Sequence, residues 1–347
     1  MKKHIFHILV ASLLAASLCV GFVGCNQTDA PSDGTAQGSD SAADSSVVTD
    51  ENGSEIGSSS ESTPTDSNPA ESTPSDNPGT NTATPGTEEN PIALTFNGIE
   101  CSESVAGTLS VDGSAFVISK GGFYTLSGDL SDGQIKVAVP KTEEITLTFK
   151  NFSASSSKSA PIYIDSCDKA TIILAAGTVN TLSDATTYQF ANPADDKPNA
   201  CIYSADDLTI KGDGTLNITA NYNNGIGCKN DLRIKSGTIS VSAPNNILKG
   251  NDSVTIEGGN ITLSGGEDAI KSDATDRTDK GFVLIEGGAK VTITCTDDAI
   301  QATQSVTVAA GTTVTVTAGG NAINCPGTIN ADESAMNIIA EGAADEA

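Results

Sequence analysis

The sequence predicts an all-β protein whose main domain is a right-handed parallel β-helix, a solenoid with coils of about 22 residues. Three features support this prediction: an apolar anchor that recurs, strand-like segments between the anchors, and glycine turns that separate those segments. The anchors follow one another at intervals of 22, 22, 30 and 23 residues; they are Ile226, Leu248, Ile270, Ile300 and Ile323. A fixed period built only from strands and turns is typical of a solenoid, because neighbouring repeats bury one continuous core.

The chain begins with a predicted export signal over residues 1–25. Two lysines precede an apolar run that ends at Gly24 and Cys25, and this run lies too early in the chain for a stable membrane span. Phe22–Cys25 resembles a bacterial lipoprotein box, which implies that Cys25 is diacylated and anchors an exported protein at the outer face of the cell membrane. An ordinary secretory signal with a chance cysteine is the alternative.

Residues 26–90 form a predicted disordered linker. This stretch is rich in Ser, Thr, Pro and Gly, and it contains 13 acidic residues and no Lys or Arg, which is half of the net charge of −26. Such a segment buries too little apolar surface to fold, and its charges repel one another. We therefore expect a tether that carries the next domain outward to the cell surface.

Residues 91–347 form the predicted β-helix domain, which is rich in Thr, Val and Ile and lacks Trp. Its acidity argues against a nucleic-acid partner. Both histidines, His4 and His7, lie in the export signal, so Ser-His-Asp, Cys-His and His-ligated zinc chemistry is excluded in the mature chain. Cys228 and Cys325 occupy equivalent positions four coils apart, about 19 Å, so we interpret the cysteines as small buried hydrophobes.

The first part of the domain is less regular than the later coils, but it alternates as strands do. The predicted strands are Phe123–Gly128, Ile135–Val139, Ile145–Phe149, Pro161–Ile164 and Thr171–Leu174. Residues 183–199, which are rich in Asp, Pro and Asn, are predicted to leave the helix as an excursion. Each later coil holds three strands, which stack into three parallel sheets around a triangular core, and the usual connection rule makes the helix right-handed.

Acidic residues recur just before two of the anchors. Asp268 and Asp298 stand in one column, flanked by Glu267 and Asp297, and Asp273 follows shortly before the insertion 274–281. Stacked carboxylates repel one another unless a cation neutralises them, and calcium takes six to eight oxygen ligands. We therefore predict a calcium site with the ligands Glu267, Asp268, Asp273, Asp297 and Asp298. A solvated turn with splayed carboxylates is the alternative, and the Asn members of the column are predicted to form a structural ladder.

A basic stripe is predicted beside these carboxylates. Lys249, Lys271 and Gln301 each follow an anchor and so share an outward column, while Arg277 and Lys280 lie in the insertion. Such a stripe on an extended flat sheet suits an elongated acidic polymer of uronic acids, whose carboxylates calcium would bridge to the protein. These five residues are the predicted substrate contacts, and for each one alone a solubilising surface role is the alternative.

Four segments resemble a bacterial extracellular carbohydrate-binding family: Tyr203–Gly212, Asp252–Gly259, Glu267–Asp273 and Asp279–Gly288. The resemblance spans about residues 115–325. It implies a right-handed parallel β-helix like that of polysaccharide lyases, binding of cellulose and acidic pectic sugars, bound calcium, and no established catalysis. By motif, the metal carboxylates of the family fall on Asp268, Asp273, Asp297 and Asp298. Asn stands at three positions where many members have Asp-Gly, which leaves fewer anionic ligands; these are Asn224, Asn246 and Asn321.

The leading hypothesis is a non-catalytic, lipid-anchored cell-surface protein that binds acidic plant cell-wall polysaccharide through calcium. A calcium-dependent polysaccharide lyase is the first alternative, with a Lys or Arg of the stripe region as the base. An envelope adhesin or scaffold without a sugar ligand is the second. The lipid anchor is the only expected contact with the membrane.

Overall fold

The computed structural model describes residues 85–340 and residue 342. The export signal, Cys25 and most of the acidic linker lie outside the described residues. Within the described part, every regular element is a β-strand, and no helix is long and apolar enough to cross a membrane.

The strands follow one another with short turns, and three groups cover the chain. The N-terminal strands are β1 Ile92–Gly98, β2 Glu100–Glu103, β3 Leu109–Asp112, β4 Ala115–Ile118, β5 Gly122–Leu130, β6 Gln134–Ala138, β7 Ile145–Ser155, β8 Ile162–Ser166, β9 Lys169–Leu174 and β10 Val179–Ser183. The middle strands are β11 Ala200–Ser204, β12 Asp207–Gly212, β13 Thr215–Thr219, β14 Asn224–Cys228, β15 Asp231–Ile234, β16 Thr238–Ala243, β17 Leu248–Gly250, β18 Ser253–Ile256 and β19 Asn260–Gly265. The C-terminal strands are β20 Ile270–Ser272, β21 Phe282–Ile285, β22 Lys290–Thr294, β23 Ile300–Ala302, β24 Ser305–Val308, β25 Thr313–Thr317, β26 Ile323–Asn324, β27 Thr328–Ala331 and β28 Met336–Ala340.

Each regular coil contributes one strand to each of three parallel ladders. Ladder A contains β9, β12, β15, β18, β21, β24 and β27. Ladder B contains β10, β13, β16, β19, β22, β25 and β28. Ladder C runs from β4 through β6, β8, β11, β14, β17, β20 and β23 to β26. This arrangement confirms the predicted parallel β-helix.

Ladders A and B belong to one 18-stranded sheet, and ladder C lies in a separate 10-stranded sheet. The three predicted parallel sheets are therefore present as ladders in the regular coils, and two of them are joined at one corner. Strand β7 is long enough to turn that corner: Ile145–Phe149 pairs with β9, and Ser153–Ser155 pairs with β10. Asn151 lies between these two halves at a φ of 52°. A single left-handed residue thus bends one strand across two faces of the helix.

The anchors occupy one column of ladder C. Ile226 pairs with Leu248, Leu248 with Ile270, Ile270 with Ile300, and Ile300 with Ile323. The first four anchors are fully buried. The predicted repeat and its 30-residue interval are therefore confirmed residue by residue, and the insertion leaves the register of the strands intact.

The ends and the excursion show what periodicity alone did not predict. Strands β1–β4 form an N-terminal end in which β1 pairs with β2, and β3 with β4, in antiparallel fashion. The excursion 183–199 contains no strand beyond the end of β10. It packs on the helix through Tyr188, which donates a 2.7 Å hydrogen bond to Asp184 and stacks on Tyr222 at 4.1 Å between ring centroids. All six cysteines of the described domain are free, and four of them are buried.

Candidate functional site

The outer face of ladder C carries one column of side chains that immediately follow the anchors. Neighbouring members are Cα partners across adjacent strands, so their side chains line up along the helix axis. In chain order the column contains Tyr163, Tyr203, Gly227, Lys249, Lys271 and Gln301. The column is therefore aromatic at one end and basic or amide-bearing at the other, with a glycine between them.

Three carboxylates meet at the edge of ladder C that faces ladder B. One oxygen each from Asp268, Asp297 and Asp298 lies within 4.8 Å of the others, and we call these three residues the acidic cluster. Asp268 and Asp298 are almost fully buried, whereas Asp297 is exposed. Each residue comes just before a strand of ladder C, so the β-helix register brings together groups that are 30 residues apart in the chain.

Asp297 and Asp298 of the acidic cluster have pKa values shifted in opposite directions. Burial raises the pKa of Asp297, and the negative charges of Asp298, Asp268 and Glu267 raise it further. Burial also acts to raise the pKa of Asp298, but hydrogen bonds outweigh it and hold that pKa below the usual range. The donors to Asp298 are Asn324 Nδ2 at 2.6 Å, Asn321 N at 2.8 Å, Asn321 Nδ2 at 3.0 Å and Gln301 Nε2 at 3.4 Å.

One cation of the chain already lies at the cluster. Lys271 Nζ donates to Asp268 Oδ2 at 2.8 Å, which compensates one of three negative charges. Two further features adjoin the cluster. The Oδ1 atom of Asn246, in the coil before Asp268, is buried and has no hydrogen-bond partner among the described residues. A Cβ atom on Gly320 would lie 2.6 Å from Asp297 Oδ1 and 2.8 Å from Asp298 Oδ1, closer than van der Waals contact, so the absence of a side chain lets these two oxygens lie against the backbone.

The Asn members of the column form the predicted ladder, and it ends at the cluster. Asn246 Nδ2 donates to Asn224 Oδ1 at 2.9 Å, and Asn224 Nδ2 donates to Asn199 O at 3.0 Å. Asn321 continues the column beyond Asp298, and its Nδ2 donates to Asp298 Oδ1 at 3.0 Å. The amide-to-amide bonds stop between Asn246 and Asp268, because an ionised carboxylate has no proton to donate to Asn246 Oδ1.

The structure does not bring two of the five predicted metal ligands into the cluster. Asp273 follows β20 at the opposite edge of ladder C, because an extended chain of five residues from Asp268 spans about 16 Å. There Asp273 forms an ion pair with Lys249, with 2.5 Å between Lys249 Nζ and Asp273 Oδ2. Glu267 is exposed and lies outside the three-carboxylate group, although its charge still acts on Asp297.

The predicted substrate contacts are also placed differently from the expectation of a free basic stripe. Lys249, Lys271 and Gln301 do share one column. The charges of the two lysines are already compensated, since Lys249 pairs with Asp273 and Lys271 with Asp268. Arg277 and Lys280 lie in the insertion away from the column; Arg277 pairs with Asp279 at 2.5 Å, and Lys280 forms a short ion pair with Asp252. The stripe is therefore aligned but largely neutralised.

A cleft of about 560 Å³ opens on the same face, next to the stripe. Tyr163 and Tyr203 line one end, and their rings lie 5.9 Å apart between centroids. Gly227 lies between them and Lys249, and the excursion supplies a wall that includes Asn199. The volume falls in the range of small-molecule binding pockets, about 300–1,000 Å³.

Sequence reasoning missed the two tyrosines, although a signal for them was present. From Ile226 onward, the position after the anchor holds glycine, lysine, glutamine or asparagine, so the regular coils give no aromatic signal. Tyr203 follows Ile202, which lies 24 residues before Ile226, and Tyr163 follows Ile162. The same column, extended by two coils toward the N-terminus, contains both tyrosines.

The chain matches known proteins over this β-helix. A family model described as "Carbohydrate-binding domain-containing protein" matches residues 112–344. A relative of that description from Acetivibrio thermocellus is 48% identical over 233 residues, which is 67% of this chain and 81% of the relative. A solved structure, described as the polysaccharide lyase-like protein from C. thermocellum, gadolinium derivative, aligns with a TM-score of 0.70 at 44% identity. That alignment covers 72% of this chain and 100% of the solved one.

These matches confirm the family resemblance that the sequence predicted. They also agree with the parallel β-helix. The chain belongs to the family of carbohydrate-binding domain-containing proteins, and its solved neighbour is polysaccharide lyase-like.

Proposed function

We propose that this carbohydrate-binding protein holds an acidic plant cell-wall polysaccharide, such as polygalacturonate, on the outer face of ladder C through calcium. The convergence of Asp268, Asp297 and Asp298 within 4.8 Å is the observation that carries the proposal. After compensation by Lys271, the cluster retains a charge near −2, which a divalent cation balances. A sugar carboxylate then completes the oxygen shell of the ion and connects the chain to the protein.

The chemistry of the surrounding groups fits calcium. Carboxylate and amide oxygens are its preferred ligands, and the orphaned Asn246 Oδ1 adds a neutral oxygen beside the acidic cluster. Because Gly320 has no side chain, oxygens of two of the carboxylates lie against the backbone there. The 3.4 Å contact from Gln301 is the longest hydrogen bond to Asp298. The solved relative was prepared as a gadolinium derivative, and gadolinium, like calcium, is a hard cation that selects oxygen ligands.

We propose binding rather than cleavage. A lyase needs a base that accepts the sugar α-proton, and such a base works best with a pKa near the working pH. The hydrogen bond to Asp252 raises the pKa of Lys280, and the hydrogen bond to Asp279 raises the pKa of Arg277. Both shifts move these candidate bases further from a useful range. Lys249 and Lys271 are each held by a carboxylate as well.

We propose further that the protein is displayed at the cell surface. Lipidation of Cys25 and the acidic linker would place the binding face outside the membrane, where polymeric substrates are present. Retention of the full chain in the detergent phase, and its loss on Cys25→Ser, tests this part of the proposal.

Calorimetric titration of the full chain with polygalacturonate, in calcium and in chelator, tests the proposed ligand and metal. We expect saturable binding that weakens at least about tenfold in chelator. Asp298→Asn should reproduce most of that loss in calcium. The matched control is Asp276→Asn, which removes an exposed carboxylate of the insertion without touching the acidic cluster.

Three results would count against the proposal. Equal binding in calcium and chelator would remove the metal bridge. Absence of binding in both buffers would remove the acidic polysaccharide and leave a scaffold role. Continuous heat with an unsaturated uronide product would show a lyase.

A further inference from the structure

The cleft is separate from the acidic cluster. Gly227 lies two coils from Lys271 in the same column, about 10 Å along the axis, and the cluster lies beyond Lys271 at the edge of the ladder. No carboxylate of the acidic cluster lines the cleft. A ligand group in the cleft therefore depends on contacts other than the proposed calcium ion.

Tyr203 gives the cleft an unused hydrogen-bonding group. Its side chain is only 4% exposed, yet its hydroxyl forms no hydrogen bond within the described residues. The hydroxyl groups of two other tyrosines are satisfied: Tyr163 donates to Asp165 Oδ1 at 2.6 Å, and Tyr188 donates to Asp184 Oδ2 at 2.7 Å. Among the described residues, Asn246 Oδ1 is the only buried side-chain polar atom without a partner, so the Tyr203 hydroxyl reaches the solvent of the cleft, where a ligand acceptor can replace water.

Gly227 shapes the floor of the cleft. Its neighbours in the column carry the large side chains of Tyr203 and Lys249, and glycine leaves a gap between them. A Cβ atom on Gly227 would lie 3.0 Å from Ala200 Cβ and 3.5 Å from Tyr203 Cδ2. A side chain at Gly227 would therefore crowd Ala200 and the ring of Tyr203, and glycine leaves the cleft open to a ligand at this position.

The charges that line the cleft leave one cation unpaired. Asp165 pairs with Lys136, Asp196 with Lys197, and Lys249 with Asp273. Lys229 also lines the cleft; it is exposed and forms no ion pair within the part of the chain that the structure describes. One unpaired positive charge at the cleft suits a ligand unit that carries one carboxylate.

We propose that this cleft is a metal-independent subsite for a single uronic-acid unit, with its carboxylate on Lys229 and one of its oxygens on the Tyr203 hydroxyl. The inference rests on the proposed function, because it takes the bound polymer to be acidic. It adds a second point of attachment on the same face, so one polymer chain running along the helix axis meets both the cleft and the acidic cluster. Recognition of charge thus shifts from the two paired lysines of the stripe to Lys229, a basic residue that the sequence places near the same column.

The test measures binding of trigalacturonate to the full chain in chelator, with the fully methyl-esterified trimer as the uncharged counterpart. We expect trigalacturonate to bind and the ester to bind about fivefold to tenfold more weakly. Tyr203→Phe removes only the hydroxyl and should weaken trigalacturonate binding about fivefold. Lys229→Gln should weaken it by a similar factor and abolish the preference over the ester. The matched control is Lys211→Gln on ladder A, and thermal melting confirms that each variant is folded.

The outcomes separate the two proposals. Trigalacturonate binding in chelator that is equal in wild type, Tyr203→Phe and Lys229→Gln overturns the subsite, whatever calcium does for the polymer. Equal affinity for trigalacturonate and its ester overturns the assignment of Lys229. Loss of the calcium effect on polygalacturonate, with chelator-resistant binding that still depends on Tyr203, overturns the calcium bridge and leaves the subsite standing.

Discussion

The outer face of ladder C is one scaffold with two chemistries. In the coils of β8, β11 and β14, the position after the anchor holds Tyr163, Tyr203 and Gly227, and the face is hollowed into a cleft. In the coils of β17 and β20, the same position holds lysines that are compensated by nearby carboxylates. The backbone spacing is the same in both regions, so the difference comes from the side chains and from the segments inserted beside them.

The inserted segments differ in a corresponding way. The excursion 183–199 precedes ladder C strand β11 and builds a wall over the tyrosines. The insertion 274–281 follows ladder C strand β20; its Arg277, Asp279 and Lys280 form ion pairs, and none of its residues lines the cleft. A loop thus creates a site only when its position and its packing direct it over the sheet face.

The largest expected effect tests whether the two regions share one fold. Leu248 is fully buried beneath the boundary between the cleft and the lysines. Leu248→Ala should destabilise the domain by about 2–5 kcal/mol because it leaves a cavity, which lowers the melting temperature by roughly 10 °C. Denaturant melts followed by calcium-dependent and calcium-independent binding should show both regions failing together. Loss of only one kind of binding would indicate that the cleft region and the acidic region unfold separately.

The second prediction acts on the acidic region alone. Gly320→Ala places a methyl group 2.6 Å from Asp297 Oδ1 and 2.8 Å from Asp298 Oδ1, so both carboxylates must shift from their positions in the acidic cluster. At calcium concentrations about 100-fold above the dissociation constant, the wild type should gain about 2.7 kcal/mol of stability, and the variant should lose most of that gain. Thermal melting with and without calcium measures this difference. An unchanged calcium shift in the variant would place the ion elsewhere.

The third prediction acts on the cleft alone. Gly227→Ala brings a Cβ atom to 3.0 Å from Ala200 and toward the ring of Tyr203. Trigalacturonate binding in chelator should weaken about tenfold, which corresponds to about 1.4 kcal/mol, while the calcium-induced melting shift remains. Parallel loss of both properties would mean that the two regions are not independent.

The smallest effect concerns repulsion within the acidic cluster. Burial and neighbouring carboxylates raise the folded-state pKa of Asp297, so its ionised form destabilises the fold once the pH exceeds the unfolded-state pKa. Asp297→Asn should therefore raise the stability of the calcium-free protein by about 0.5 kcal/mol at neutral pH, or about 1–2 °C. The gain should vanish at pH values below about 3.9, where both states are protonated. In the presence of calcium, Asp297→Asn should instead lower the stability, because the ion loses a carboxylate ligand.

Much of the fold could be predicted from the sequence, because the repeat period of a solenoid determines which residues of neighbouring coils pair. The anchors from Ile226 to Ile323, the turns between the strands and the excursion all follow from residue type and spacing. The stacking of Asp268 over Asp298 follows from the same register. The bend of β7 and the antiparallel N-terminal strands are not periodic, so the repeat did not predict them.

The sequence by itself determined the family, the parallel β-helix and the columns in which chemically similar residues align, because each of these depends on one-dimensional spacing. Only the tertiary structure decided which charges are paired. It placed Asp273 on Lys249 and Lys271 on Asp268, and it left Lys229 and the Tyr203 hydroxyl without partners among the described residues. Pairing depends on which edge of a strand a side chain occupies and on how far it reaches, and residue spacing does not encode either distance.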